Sequence, residues 1–147
     1  VSAKEPVEPS DPEFFGEGLE LKVFGAAGVP DSGDAAGGGG VGMAYYFTPQ
    51  VGIDASYTVL AFDDEVHTVS ADMVLRYPVS QAGVAPYVVL GAGVVTDGEA
   101  DALYRLGGGV DVRFQPGGMG LFADGIYNWV VGGDNFTIAR LGVRIPF

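Results

Sequence analysis

Glu20, Lys22, Asp54, Asp72, Arg76, Arg105, Asp111, Arg113, Asp124, Arg140 and Arg144 each interrupt an otherwise apolar stretch. Carboxylates and guanidinium groups so placed can pair into salt bridges, line a path for ions, or act as acid and base. The set holds six of the seven basic residues and five acids, a net charge of +1. Near balance suits mutual pairing, which buried charges require.

His67 is the only histidine, and Ser70 lies close behind it. A hydrolytic pair needs nucleophile and base within hydrogen-bond reach and a third group to orient the base. In a strand, His67 shares its face with Val69 and not with Ser70, so the two point apart. The expectation is a strand-end histidine and no catalytic residue. Asp63, Asp64 and Glu65 beside His67 suggest acid-base proteolysis, but no second acidic pair supports it, and a solvated acidic loop is expected. Asp97, Glu99 and Asp101 alternate like oxygen ligands for a hard cation. Ala102 and Gly108 stand where an EF-hand loop needs its glycine and terminal glutamate, so at most a weak Ca²⁺ or Mg²⁺ site is expected there. No other metal site and no cofactor is expected. Gly37, Gly39 and Gly42 fit a GxGxxG phosphate loop, yet Val41, Met43, Tyr45 and Phe47 continue it as a strand. No helix follows to present amides to a phosphate.

The elements that position these residues must be strands. The 147 residues suit one domain, and the absence of cysteine excludes disulfides and thiolate metal sites. A net charge of −12 argues against a nucleic-acid partner. Mean hydropathy is positive, but no run reaches the ~18–20 apolar residues of a membrane-spanning helix. The chain begins on Val1, and removal of a secretory signal is the expectation.

Residues 1–18 form an acidic lead punctuated by Pro6, Pro9 and Pro12, expected to be a flexible extension whose Phe14 and Phe15 touch the domain or a membrane surface. From Leu19 onward, eight segments alternate with period 2: 19–28, 38–48, 51–60, 67–77, 85–94, 102–115, 119–129 and 135–147. Their length matches the ~9–11 residues of a tilted strand crossing a bilayer. Connections at 48–50, 78–83 and 115–118 are short and uncharged, while those near 29–37, 61–66, 95–101 and 130–134 carry nine acids. Short turns at one end and longer acidic loops at the other describe an up-and-down meander.

The alternation is inverted relative to a soluble barrel. One face of each segment is apolar and nearly free of charge: Val41, Met43 and Tyr45, for example, or Leu141, Val143 and Ile145. The opposite faces carry the eleven charges together with Gly40, Gly42, Gly52, Gly91, Gly93, Gly107 and Gly109. Glycine weakens strands, so its concentration there suits a narrow interior admitting long side chains. Tyr45, Phe47, Tyr77, Phe114 and Phe147 fall at the short-turn end of the apolar faces; Tyr57, Tyr104, Tyr127 and Trp129 fall at the loop end. Two aromatic belts flanking an aliphatic middle are the interfacial girdles of a membrane barrel. The expected fold is all-β, an eight-stranded antiparallel up-and-down transmembrane barrel over residues 19–147.

The terminal stretch Arg140 to Phe147 resembles the C-terminal assembly signal of bacterial outer-membrane barrels, matching through Arg140, Gly142, Ile145 and Phe147. With Tyr46-to-Asp54 and Ala85-to-Gly93, it makes the chain similar to the transmembrane domain of the OmpA-type small barrels. That resemblance implies the bacterial outer membrane, outer-membrane lipid as surroundings, and the barrel-assembly machinery as a partner during insertion. No counterpart of the family's peptidoglycan-binding domain is expected, so wall tethering is not carried over. The expected function is structural anchoring or surface interaction, with a side-chain-filled lumen, acidic extracellular loops, and a protein partner at residues 1–18 or at the loops. A narrow channel for ions or small solutes is the first alternative, and an enzyme acting on lipid or peptide at the rim the second.

Overall fold

Period-2 alternation lets a strand offer one face to hydrocarbon and the other to a shared interior, and closure leaves no edge unpaired in lipid. The computed structural model, which describes residues 14–31, 33–62, 65–79, 82–96, 99–133 and 135–147, adopts this solution. Its strands are β1 (Gly18–Pro30), β2 (Ala36–Tyr46), β3 (Val51–Ala61), β4 (Glu65–Arg76), β5 (Val84–Thr96), β6 (Ala100–Arg113), β7 (Gly120–Val130) and β8 (Phe136–Pro146). They pair antiparallel in chain order, and β1 closes on β8 from Glu20 opposite Pro146 to Pro30 opposite Phe136. Both ends of the described chain lie at the mouth formed by turns 47–50, 77–83 and 114–119, the turn end. Thr48 shapes the first turn by accepting from the Gln50 and Val51 amides at 3.1 and 3.0 Å.

The expected contrast in connection length is absent. The acidic end is linked by residues 31–35, 62–64, 97–99 and 131–135, three to five residues each, against four to seven in the turns 47–50, 77–83 and 114–119 opposite. The ladders run further than the charges suggested: Gly28 pairs Ala36, Ala61 pairs Glu65 and Thr96 pairs Ala100. A carboxylate at a strand end keeps its backbone in the ladder while its side chain reaches water. Gly33 and Gly132, at φ 119° and 82°, supply the left-handed backbone that tight connections need.

The faces separate by parity. Leu19, Val23, Met43, Ile53, Met73, Leu90, Leu106 and Leu141 are exposed on the outside. The interior holds two apolar clusters besides its charges. Phe24, Tyr46, Tyr87, Val89, Phe122 and Ile126 pack in the middle and toward the turn end. Leu60, Val95, Leu103, Phe136 and Ile138 pack inside the acidic end, with Phe62, Val66 and Val130 against them. Large inward side chains lie against inward glycines: a Cβ at Gly42 would strike Lys22, one at Gly52 Tyr46, one at Gly91 Asp72, and one at Gly120 Arg113.

The lead is not free up to residue 18. Gly18, at φ 108°, turns the chain into the mouth, and Phe15 is only 3% exposed. Residues 1–13 of the expected extension lie outside the described residues.

Candidate functional site

All eleven charged residues that share the inward parity are buried in the lumen, none more than 8% exposed. Each stands in at least one ion pair. Lys22 Nζ meets Asp54 Oδ2 at 2.6 Å, with the rings of Phe24 and Phe122 at 5.6 and 5.9 Å. Arg140 grips Asp124 with two parallel bonds, Nε to Oδ1 at 2.8 Å and Nη2 to Oδ2 at 2.6 Å, and the Tyr87 hydroxyl donates to the same carboxylate at 2.6 Å. Two-pronged guanidinium–carboxylate contact of this kind is among the stronger polar interactions. Arg144 reaches Asp111 at 3.0 Å with its guanidinium 4.6 Å from the centre of the Phe122 ring. Arg105 contacts Asp72 at 3.2 Å and donates to Ser70 Oγ at 2.9 Å.

One cation more than anions is accommodated by sharing. Asp111 accepts from Arg113 at 2.8 Å and also stands in an ion pair with Arg144 at 3.0 Å, and Glu20 accepts from Arg113 at 2.7 Å while lying 3.6 Å from Arg76. Arg76 ties the turn-end mouth together. It donates to Pro49 O at 2.6 Å and to Gly16 O at 2.9 Å, with the Tyr46 ring 3.6 Å away. Phe15 covers Arg76 and Arg113 at 4.9 and 5.0 Å, an aromatic stopper over two guanidinium groups.

The lumen is therefore filled at three heights: Phe15 over Arg76 and Arg113, the paired charges, and the apolar plug of Leu60, Leu103, Phe136 and Ile138. The charges, and a contact of Phe15 with the domain or a membrane surface, are expected from the sequence; the apolar plug is not among those expectations. The plug was visible in phase, because Leu103 precedes Arg105 by two residues, and Ile138 precedes Arg140 by two. Phe15 carried no periodic signal.

The remaining candidates lie elsewhere. His67 is on the outer face, where its Nδ1 shares a hydrogen bond with the Tyr57 hydroxyl and its Nε2 lies 3.5 Å from Glu65. Ser70 is buried inside, so the wall separates the two. Glu99 is exposed and Asp101 half-buried, while Asp97, like Asp63 and Asp64, lies outside the described residues. Among the described residues no three acidic or histidine side chains group to hold a metal ion. The terminal residues divide their work. Arg140 faces the lumen, Gly142 makes room for Phe24, Ile145 and Phe147 face outward, and the Phe147 amide donates to Leu19 O at 3.0 Å. Tyr45, Phe47, Tyr77, Phe114 and Phe147 stand outward at the turn end. Tyr57, Tyr104 and Trp129 stand outward toward the acidic end, and half-buried Tyr127 packs edge-on against Trp129 and donates to Asp31 at 2.7 Å.

A closed cylinder with an aliphatic outside, aromatic rims and ionised side chains within is a transmembrane β-barrel, and this one is a small eight-stranded barrel of the outer-membrane type. No protein-family model matches the chain, and no curated protein matches it. Solved structures do. The N-terminal β-barrel domain of Pseudomonas aeruginosa OprF is 19% identical over 90% of this chain and 99% of that one, with a TM-score of 0.74. Neisserial surface protein A is 15% identical over 88% and 97%, with a TM-score of 0.76. The outer membrane enzyme PagL is 17% identical over 86% and 99%, with a TM-score of 0.55. The chain has the fold of the OmpA-type small outer-membrane barrels. A fold that also carries an enzyme does not decide for or against catalysis.

Proposed function

We propose that this barrel is a non-conducting, non-catalytic outer-membrane anchor, with its turn end in the periplasm and its acidic rim at the cell surface. The observation that carries this reading is the filled lumen. An eight-stranded barrel has room for side chains and little more, and here the charges that could line an ion path are engaged with one another. In planar bilayers the protein should give no large, stable current steps. Phe15→Ala should be equally silent, because the apolar plug at the other end remains. Porin-like steps from the unaltered protein would overturn the reading.

What the anchor presents is short acidic connections outside and the lead inside. Outer-membrane lipid covers its apolar face, and the terminal residues engage the assembly machinery during insertion. Phe15 holds the start of the described chain at the mouth, an arrangement suited to docking a periplasmic protein at that end. Affinity capture from periplasmic extract should retain a partner with the full chain and lose it when residues 1–13 are removed. Equal recovery by both forms would remove the lead from the reading.

A further inference from the structure

We propose that the lumen charges make closure of the barrel conditional on distant strands, because two ladders carry like charges directly opposite one another. Across the β1–β8 seam, Lys22 pairs in register with Arg144; across β3–β4, Asp54 pairs in register with Asp72. All four side chains point inward and are buried. Like charges directly opposite in an antiparallel pair oppose its formation. Neither opposition is relieved by the strands that create it.

Relief comes from strands two places away. Lys22 of β1 meets Asp54 of β3 at 2.6 Å, Asp72 of β4 meets Arg105 of β6 at 3.2 Å, and Arg144 of β8 meets Asp111 of β6 at 3.0 Å. These contacts step around the lumen from β1 to β3 and from β4 through β6 to β8, and the gaps between them fall at the two opposed ladders. The β7–β8 hairpin differs, since Asp124 and Arg140 are in register and attract each other directly. That hairpin can form on its own charges. The β3–β4 hairpin and the seam are penalised until β6 and the rest of the wall are in place, which disfavours premature or undersized closures.

The chain has no cysteine, so one engineered pair reports the seam. Val23 and Val143 are register partners across it. In Val23→Cys/Val143→Cys, refolded from urea into micelles under mild oxidation, the seam crosslink should appear no earlier than the compact, heat-sensitive band on unheated gels. Adding Lys22→Asp with Asp54→Lys keeps the ion pair and net charge. It also places a carboxylate opposite Arg144 and an ammonium opposite Asp72. The crosslink should then form at least fivefold faster and precede the compact band, even if that band never forms. Exchanging Asp72 and Arg105 in the same background relieves the β3–β4 ladder alone and should leave the seam order as in the parent. An unchanged order in the Lys22/Asp54 exchange, or the same acceleration in both exchanges, would overturn the proposal.

Discussion

Asp111→Ala should cost the barrel about 3–5 kcal/mol, the range for removing one partner of a buried ion pair. Asp111 is 1% exposed, accepts from Arg113 and stands in an ion pair with Arg144 at 3.0 Å. Arg113 keeps Glu20 at 2.7 Å. Arg144 keeps no carboxylate among the described residues and remains enclosed by Phe122 and Tyr87. The cost is therefore that of one stranded guanidinium and not of two lost contacts. Replacing both partners, Asp111→Leu with Arg144→Met, should recover most of it, because apolar groups of similar volume substitute for a buried pair at little penalty. Urea unfolding in micelles, followed through the single tryptophan, Trp129, measures both. A loss below ~1 kcal/mol for Asp111→Ala would indicate that Arg144 finds other solvation, and the lumen would then be less tightly filled than its packing implies.

The parts of this architecture legible in the sequence are those that repeat every second residue. Arg140, Gly142 and Arg144 against Leu141, Val143 and Ile145 announce which side meets hydrocarbon, and seven inward glycines announce a crowded interior. Pairing partners were not legible. Knowing that Lys22 meets Asp54 while standing in register with Arg144 requires the register of three strands at once. The apolar plug escaped for a different reason. Leu60, Leu103 and Ile138 look like lipid-facing residues by composition, and only their phase relative to Asp54, Arg105 and Arg140 places them inside. The acidic connections are shorter than their charge implies, because Glu65 and Asp101 belong to β4 and β6. Phe15 sits in an acidic, proline-rich stretch in which the sequence predicts a contact with the domain or a membrane surface but not its place over the mouth. What recruits it is the pair of guanidinium groups at the mouth, which no local pattern reveals.

The filled lumen also bears on how the fold could host other activities. An interior in which each charge has a partner and the long side chains are seated against glycine has little freedom to bind a solute. His67 and Tyr57 share a hydrogen bond at the rim, with Glu65 3.5 Å from His67, on the outer side of the wall.

Leu90→Arg should destabilise the inserted barrel by about 2–4 kcal/mol, whereas Tyr77→Arg should cost about 0–1 kcal/mol. Both side chains face outward, at 59% and 74% exposure. They differ in depth. Leu90 lies mid-strand in β5, in register with Met73 on one side and Leu106 on the other, while Tyr77 follows the end of β4 at the aromatic rim. A guanidinium at mid-depth must thin the bilayer or draw its side chain toward a surface, and one at the rim already sits among headgroups. In a soluble barrel the two substitutions would be equally harmless, because both would add a charge to a solvated surface. Unfolding from lipid vesicles across a urea series separates these cases, with the gradient between the two positions as the diagnostic quantity. Equal small losses at both would mean that water and not hydrocarbon covers Leu90, Met73 and Leu106. The exposed aliphatic face would then be left with no physical explanation.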